Sequence, residues 1–212
     1  MENKNSYTRA NRVYTYAIKN TFNYITMKII LFLVMTLLSL SLYSQNFHTK
    51  YEHSYSNNEK VIIENSFPKG GFIYATITGK KYSYVVFRSH ITNNTNYDLE
   101  LHIDASHQTF KIPASPRVGF KMFFPKNFEQ YGRQNLQDYG FNVKEFLDSN
   151  IHKPSFFTEI IKAGDSHGLY SVVLSDNGVS GVMRAGLVIG GKDLIYKVNG
   201  LKLCVGYLTP NL

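Results

Sequence analysis

The chain contains the stretch Leu194-Ile-Tyr-Lys-Val-Asn-Gly-Leu-Lys-Leu-Cys-Val-Gly-Tyr207, in which two apolar runs meet at Asn199-Gly200. Both runs are rich in β-branched, aromatic and other apolar residues, which suit a pleated, half-buried surface. An Asn-Gly pair between such runs predicts a type I′ turn, because both central residues of that turn need a positive φ. The stretch therefore predicts an antiparallel β-hairpin.

Strand-like runs of this kind recur through residues 60–212, with turn residues between them at intervals of about 8–12 residues. The run Tyr97–Asp104 alternates strictly, which places Leu99, Leu101 and Ile103 on one face and polar side chains on the other. Such alternation is typical of a strand with one face in the core and one in solvent. The pattern predicts a mainly β fold, an antiparallel β-sandwich, with a small β-barrel as the alternative.

A short helical insertion is predicted at about residues 125–153, where the alternating pattern stops. Asn142-Val-Lys-Glu145 resembles a capping box, with a side-chain acceptor at the start and a Glu three residues later. A helix from Val143 to about Ser149 would direct Phe146 and Leu147 inward. We therefore expect a single β-sandwich domain over residues 60–212, interrupted by this helix.

Residues 27–44 have the pattern of a secretory signal peptide. Lys28 precedes the uncharged run Ile29–Leu42, and the chain turns polar at Tyr43-Ser44-Gln45. The run is shorter than the roughly 18–20 apolar residues that cross a bilayer, so we expect cleavage after Ser44 and no permanent membrane span. The mature protein would then be secreted or periplasmic, and would meet the membrane only through this segment before cleavage.

The segments on either side of the signal peptide are polar. Residues 1–26 are either an N-terminal extension or the result of a start assigned too early, with Met27 the true first residue. Residues 45–59 are expected to form a flexible arm.

The formal net charge of +8 does not indicate nucleic-acid binding, because half of it lies in residues 1–44 and the other basic residues are scattered. A phosphate-binding surface needs clustered cations. The single cysteine, Cys204, excludes an intramolecular disulfide and any multi-cysteine metal site. In its strand-like run Cys204 is expected to pack as a small hydrophobic residue.

Two further groups of residues carry chemically reactive side chains. Glu100, His102 and Asp104 share one strand face, but a solvent-facing strand also needs polar residues, and no other ligand motif supports a metal there. The adjacent residues Asp165-Ser166-His167 cannot form a hydrolase triad, which needs its members on separate segments. We therefore predict no catalytic residues, no metal and no cofactor.

The candidate binding residues are Tyr82, Tyr84 and Arg88, which share one face of a long predicted strand. If this face is exposed, its rings and cation suit a protein or glycan surface. The alternative is that these side chains form a second core face or lie under the helical insertion. The sequence leaves both possibilities open.

Three stretches carry a resemblance to uncharacterised exported proteins of Bacteroidetes-type bacteria: Leu42-Tyr-Ser-Gln45, Arg88–Thr95 and Ile151–Ser155. Asn93–Leu101 and Ile160–Asp165 also resemble paired elements of immunoglobulin-like exported modules. The resemblance implies export and an immunoglobulin-like sandwich, and it implies no activity.

These observations favour an exported, non-enzymatic binding or surface-assembly module. Its partner would be an unknown protein or a glycan at the cell surface, and nucleic acid is not expected. The alternative is a secreted hydrolase with a site near the helical insertion.

Overall fold

The structure is a computed structural model, and it describes residues 27–28, 48–55, 59–105, 109–113, 115–126, 137–178 and 183–211. The chain divides into two compact units, residues 1–45 and 46–212. Apart from Met27 and Lys28, the predicted signal peptide and the extension before it lie outside the described residues. Within the described part, no helix is both long and apolar enough to span a membrane.

The described residues of the second unit form twelve strands and one α-helix. In chain order these are β1 (Thr49–Ser54), β2 (Lys60–Asn65), β3 (Lys69–Ala75), β4 (Lys81–Asn94), β5 (Leu99–Ala105), β6 (Thr109–Ile112), β7 (Ser115–Phe123), α1 (Val143–Asn150), β8 (Ser155–Ile161), β9 (Ser166–Ser175), β10 (Ala185–Gly190), β11 (Asp193–Val198) and β12 (Leu201–Pro210).

The strands form two antiparallel sheets. The first has the order β1-β2-β4-β9-β7-β6, and β3 also pairs with β4; the second has the order β10-β11-β12-β5-β8. Because β4 is long, β2 pairs with residues 89–94 of it and β3 with residues 81–86. The prediction of a mainly β, sandwich-like fold of antiparallel sheets with one short helix is confirmed.

The main core lies between the two sheets. The predicted alternation of β5 is confirmed, since Leu99, Leu101 and Ile103 are all fully buried. They pack in one cluster with side chains of the first sheet, among them Phe87 and Ile91 of β4. The apolar faces of both sheets are therefore removed from water together, which is the main favourable term in folding.

The predicted hairpin joins β11 to β12. Asn199 and Gly200 have φ values of 44° and 89°, the two positive values that a type I′ turn needs. Further along β12 the register shifts opposite Leu194 and Ile195. Gly206 lies at this irregularity with φ of 151°, and a Cβ there would lie 1.9 Å from the carbonyl oxygen of His102. Only glycine lets β12 approach β5 this closely.

A second, smaller core lies on the other face of the first sheet, beneath α1. The predicted cap is confirmed: Asn142 Oδ1 accepts a hydrogen bond from the Glu145 N–H at 3.2 Å. Leu147 is fully buried, whereas Phe146 is only partly buried against this core. The sheet contributes Tyr74, Tyr82, Val86, Phe123, Tyr170, Val172 and Leu174.

The segment expected to be a flexible arm, residues 45–59, contains β1. This strand pairs along its whole length with β2, from Thr49 opposite Asn65 to Ser54 opposite Lys60. Tyr51 of β1 and Tyr55, the residue after its end, are partly buried against the main core. The polar segment therefore contains a paired strand, and its two tyrosines remove apolar surface from water.

Asn93 links β4 to the opposite sheet. It is fully buried, and its Nδ2 donates to the carbonyls of Tyr97 and Ile161 at 2.9 and 3.0 Å. Its Oδ1 accepts from the backbone N–H and the hydroxyl of Thr95. The amide thus satisfies carbonyls at the end of β8 that would otherwise be buried without a partner.

Candidate ligand-binding groove

The structure places Tyr82 in the second core. The side chain is 9% exposed, and its ring stacks on that of Tyr74 with 6.4 Å between centroids. The Lys80 ammonium lies 4.9 Å from the centre of the Tyr82 ring. Little of this side chain is therefore available to a partner.

Tyr84 is half-buried beneath a turn at Gln137–Gly140. Its hydroxyl donates to Asp138 Oδ2 at 2.7 Å, and burial together with this bond raises the pKa of Tyr84. Burial also raises the pKa of Asp138, with Tyr84 and Lys69 opposing that effect. Asp138 and Tyr139 have left-handed backbone, with φ of 54° and 57°. The turn holds a carboxylate against the tyrosine hydroxyl.

Arg88 is half-buried on the same strand face as Tyr84. Its guanidinium carbon lies 5.8 Å from the centre of the Tyr170 ring, and its backbone N–H donates to Ser66 Oγ at 3.0 Å. The three predicted residues thus share one face of β4, with Tyr82 inside the second core and the other two at its border. Their role in binding stays a prediction.

The His102 face of β5 is the outer face of the second sheet. The His102 ring stacks on that of Tyr207 with 4.4 Å between centroids, and its Nδ1 lies 2.9 Å from Thr158 Oγ1. Among the described residues, no group of three or more His, Cys, Asp or Glu side chains could hold a metal ion.

Cys204 differs from expectation because it is exposed. The expected packing rested on its apolar run and on the usual burial of free cysteine. Leu201, Leu203 and Val205 alternate toward the core, so Cys204 faces outward between them, before the irregularity at Gly206.

A groove of about 780 Å³ lies where the edges of the two sheets meet. One wall comes from the start of β1 and the Phe67-Pro68 link after β2, and the other from the start of β10 and the β11–β12 turn. Both β1 and β10 are edge strands of their sheets. The volume is in the range of small-ligand sites.

Side chains of the first sheet occupy the edge of β10 along this groove. Asn65, which is 3% exposed, donates from Nδ2 to the Leu187 carbonyl at 3.1 Å and accepts at Oδ1 from the Leu187 N–H at 2.8 Å. The Tyr51 hydroxyl donates to the Ile189 carbonyl at 2.6 Å. These bonds satisfy main-chain N–H and C=O groups of β10 that would otherwise be open to pairing with another strand.

The groove is positively charged. Lys50, Arg184 and Lys197 line it, and the described lining residues include no Asp or Glu. Lys50 forms an ion pair with Glu52 at 2.7 Å, and the hydrogen bond to Glu52 raises the pKa of Lys50. Lys197 lies directly opposite Lys202 on the neighbouring strand, which adds positive charge beside the groove.

An aromatic pair lies on the β2 side of the groove. Phe67 is 60% exposed, and the His48 ring lies against it with 4.9 Å between centroids. His48 Nδ1 lies 3.0 Å from the carbonyl oxygen of Asn65, which fixes the orientation of the imidazole. A large exposed ring held beside cations is a common feature of binding surfaces.

A smaller cavity of about 350 Å³ lies at the end of the helical insertion, where the hydrolase alternative would place its site. Thr109, Lys121, His152 and Lys153 are among its lining residues. The described lining residues include no carboxylate and no cysteine. They therefore lack an acidic partner that would orient His152 as a general base.

Comparison with known proteins adds no relative: no family model matches the chain, and no curated protein or solved structure matches it. The interpretation of the groove therefore depends on its own geometry and charge.

Proposed function

We propose that this protein is an exported, non-enzymatic binding module with an immunoglobulin-like sandwich, and that its ligand occupies the groove between the sheet edges. The observation that carries the proposal is the combination of Arg184, Lys197 and the exposed Phe67 along one groove, with no carboxylate among its described lining residues. Much of the lining belongs to paired strands and to the β11–β12 turn, which hold their side chains in place.

Several features favour binding over catalysis. The described groove residues include no serine, cysteine or carboxylate that could act as a nucleophile or general base. His48 is the groove imidazole, and its Nδ1 already contacts the Asn65 carbonyl. What the groove offers is charge, a ring face and hydrogen-bonding groups, which suffice for recognition.

The predicted signal peptide supports a location in the periplasm or at the cell surface. An exported domain meets proteins and glycans of the periplasm or the cell surface, and a surface-assembly role would use the same contacts. Tyr84 and Arg88 lie on the other side of the first sheet from the main core, and a second contact through them would use that face.

Binding by the mature domain, residues 45–212, to printed arrays of glycans and peptides tests the proposal. The arrays contain acidic, neutral and basic members of each class. We expect at least one class to bind, and Phe67→Ala to weaken that binding. The matched control is Ile77→Ala, because Ile77 is a fully exposed apolar side chain that does not line the groove.

Two results would contradict the proposal. Either no class binds the folded domain, or binding is the same in Phe67→Ala as in the unsubstituted domain. Thermal unfolding of both variants shows whether they are folded, which is expected because both side chains are exposed.

A further inference from the structure

We infer that the ligand of this groove is an acidic glycan, a chain of sugar rings that carry carboxylate or sulfate groups. The inference rests on the proposed function and specifies the chemistry of its ligand. Three properties of the groove support it: the sign of its charge, its exposed ring, and the state of its strand edges.

The first property is the charge. Within the described residues, neither Arg184 nor Lys197 forms an ion pair through its side chain, and both are exposed. Arginine binds carboxylate and sulfate-like groups with two parallel hydrogen bonds, whereas lysine acts as a compact charge. Arg184 directly precedes β10 and Lys197 lies near the end of β11, so the two cations are at the same end of the β10–β11 pairing. A ligand with repeated anionic groups matches this arrangement.

The second property is the ring pair of Phe67 and His48. Phe67 is 60% exposed, and the His48 ring lies against its ring with an angle of 31° between the two planes. The C–H face of a pyranose ring can lie on such an aromatic face while its substituents reach neighbouring cations. A simple acidic peptide would use the cations but would not need the ring.

The third property is the occupied edge of β10. A peptide that binds in extended form adds as a strand, and the main-chain hydrogen bonds supply much of its affinity. Here Asn65 and Tyr51 already take up the outward N–H and C=O of Leu187 and the carbonyl of Ile189. The β10 edge is therefore closed to a peptide strand, and recognition along β10 depends on side chains.

Calorimetric titration of the mature domain with defined oligosaccharides tests the inference. The probes are a short oligogalacturonate, its fully methyl-esterified form, a sulfated dextran oligosaccharide and an oligoglutamate peptide. The esterified sugar is the matched control, because it keeps the rings and removes the charge. We expect at least one of the two acidic sugars to bind and the ester not to bind.

Substitution of the two groove cations is the second part of the test. Arg184→Gln with Lys197→Gln should weaken binding of the acidic sugar by about tenfold, since two exposed charge pairs with the ligand are lost. Lys111→Gln with Lys162→Gln removes the same charge at exposed positions outside the groove and should change binding little. Added salt should also weaken binding, because exposed charges are screened.

Several results would overturn the inference: equal binding of the ester, binding of oligoglutamate as tight as that of the acidic sugars, or no effect of the double substitution at the groove. Absence of binding to both acidic sugars would also overturn it. If the arrays instead reveal a neutral glycan or a peptide whose binding needs Phe67, the proposed function stands and only the acidic-glycan inference fails.

Discussion

The Asn65 side chain pairs with the main chain of Leu187 across the two sheets, donating to its carbonyl and accepting from its N–H. The amide makes the two hydrogen bonds that one residue of a neighbouring β-strand would make, so it links β2 to the edge of β10. Ser89 supports it by donating from Oγ to Asn65 Oδ1 at 2.7 Å. One buried side chain therefore joins the sheets and forms the floor of the groove.

Asn65→Asp should destabilise the domain by about 2–4 kcal/mol at neutral pH, because a carboxylate cannot donate to the Leu187 carbonyl and its charge would be buried. Burial would raise the pKa of the introduced carboxyl. Part of the lost stability should therefore return as the pH falls and the carboxyl gains a proton that it can donate. Urea denaturation over a range of pH measures this.

Asn65→Ala is the control for that experiment, since it loses both hydrogen bonds at every pH. A loss of stability in Asn65→Asp that does not depend on pH, or that matches that of Asn65→Ala throughout, would contradict the pairing.

Gly206→Ala should cost several times more stability than Gly200→Ala. Both glycines have positive φ, but a Cβ at Gly200 meets nothing within 4 Å, whereas one at Gly206 would lie 1.9 Å from the His102 carbonyl oxygen. We expect Gly200→Ala to lower the free energy of unfolding by about 1 kcal/mol, from backbone strain alone. Gly206→Ala should lower it by about 3 kcal/mol or more, because the strands must move apart. Thermal unfolding compares them, and equal losses would show that β12 does not approach β5 as described.

Asp138→Asn should remove the loss of folding stability that accompanies ionisation of the partly buried Asp138 carboxyl. Burial raises the pKa of Asp138, so the folded protein binds this proton more tightly than the unfolded chain. The protonated Asp138 therefore adds to the free energy of unfolding below the ordinary carboxyl pKa of about 3.9. This contribution is lost as the pH rises through the raised pKa of Asp138. Relative to wild type, Asp138→Asn should therefore gain stability as the pH rises through this window.

Asparagine also tolerates the left-handed backbone at this position, so the substitution should introduce no strain. Denaturation curves of the two proteins from about pH 3 to 7 provide the comparison. Curves that stay parallel over the whole range would show that the carboxyl is not perturbed.

Tyr84→Ala decides whether the β4 face is a binding surface. The hydrogen bond to Asp138 and the contact with the Phe72 ring, 5.8 Å between centroids, predict a stability loss of about 2–4 kcal/mol. Tyr84→Phe keeps the ring and should lose about 1–2 kcal/mol. Melting curves measure both. An unchanged melting temperature in Tyr84→Ala would instead favour the binding role predicted for Tyr82, Tyr84 and Arg88.

Export should leave Gln45 as the first residue of the mature protein, because the polar segment begins after Ser44. Expression of the full chain in a Gram-negative host and intact-mass analysis of the periplasm and medium test this. A full-length chain that is found in the cytoplasm would contradict export.

The sequence by itself determined the elements whose cause is local. Asn199-Gly200 requires a turn with two positive φ values, Asn142 caps the helix three residues before Glu145, and the alternation of β5 selects its buried face. Each depends on residues within a few positions of one another, so the pattern can be recognised without knowledge of the rest of the chain.

Only the tertiary structure decided which faces are covered and where the groove lies. Tyr82 is buried because α1, some sixty residues later in the chain, packs over its strand. The groove takes residues from near positions 48, 67, 184 and 197, and no local motif joins them. Lys50 of β1 lies in one groove with Arg184 and Lys197 because edge strands of two different sheets meet, and that proximity is set by packing of the whole core.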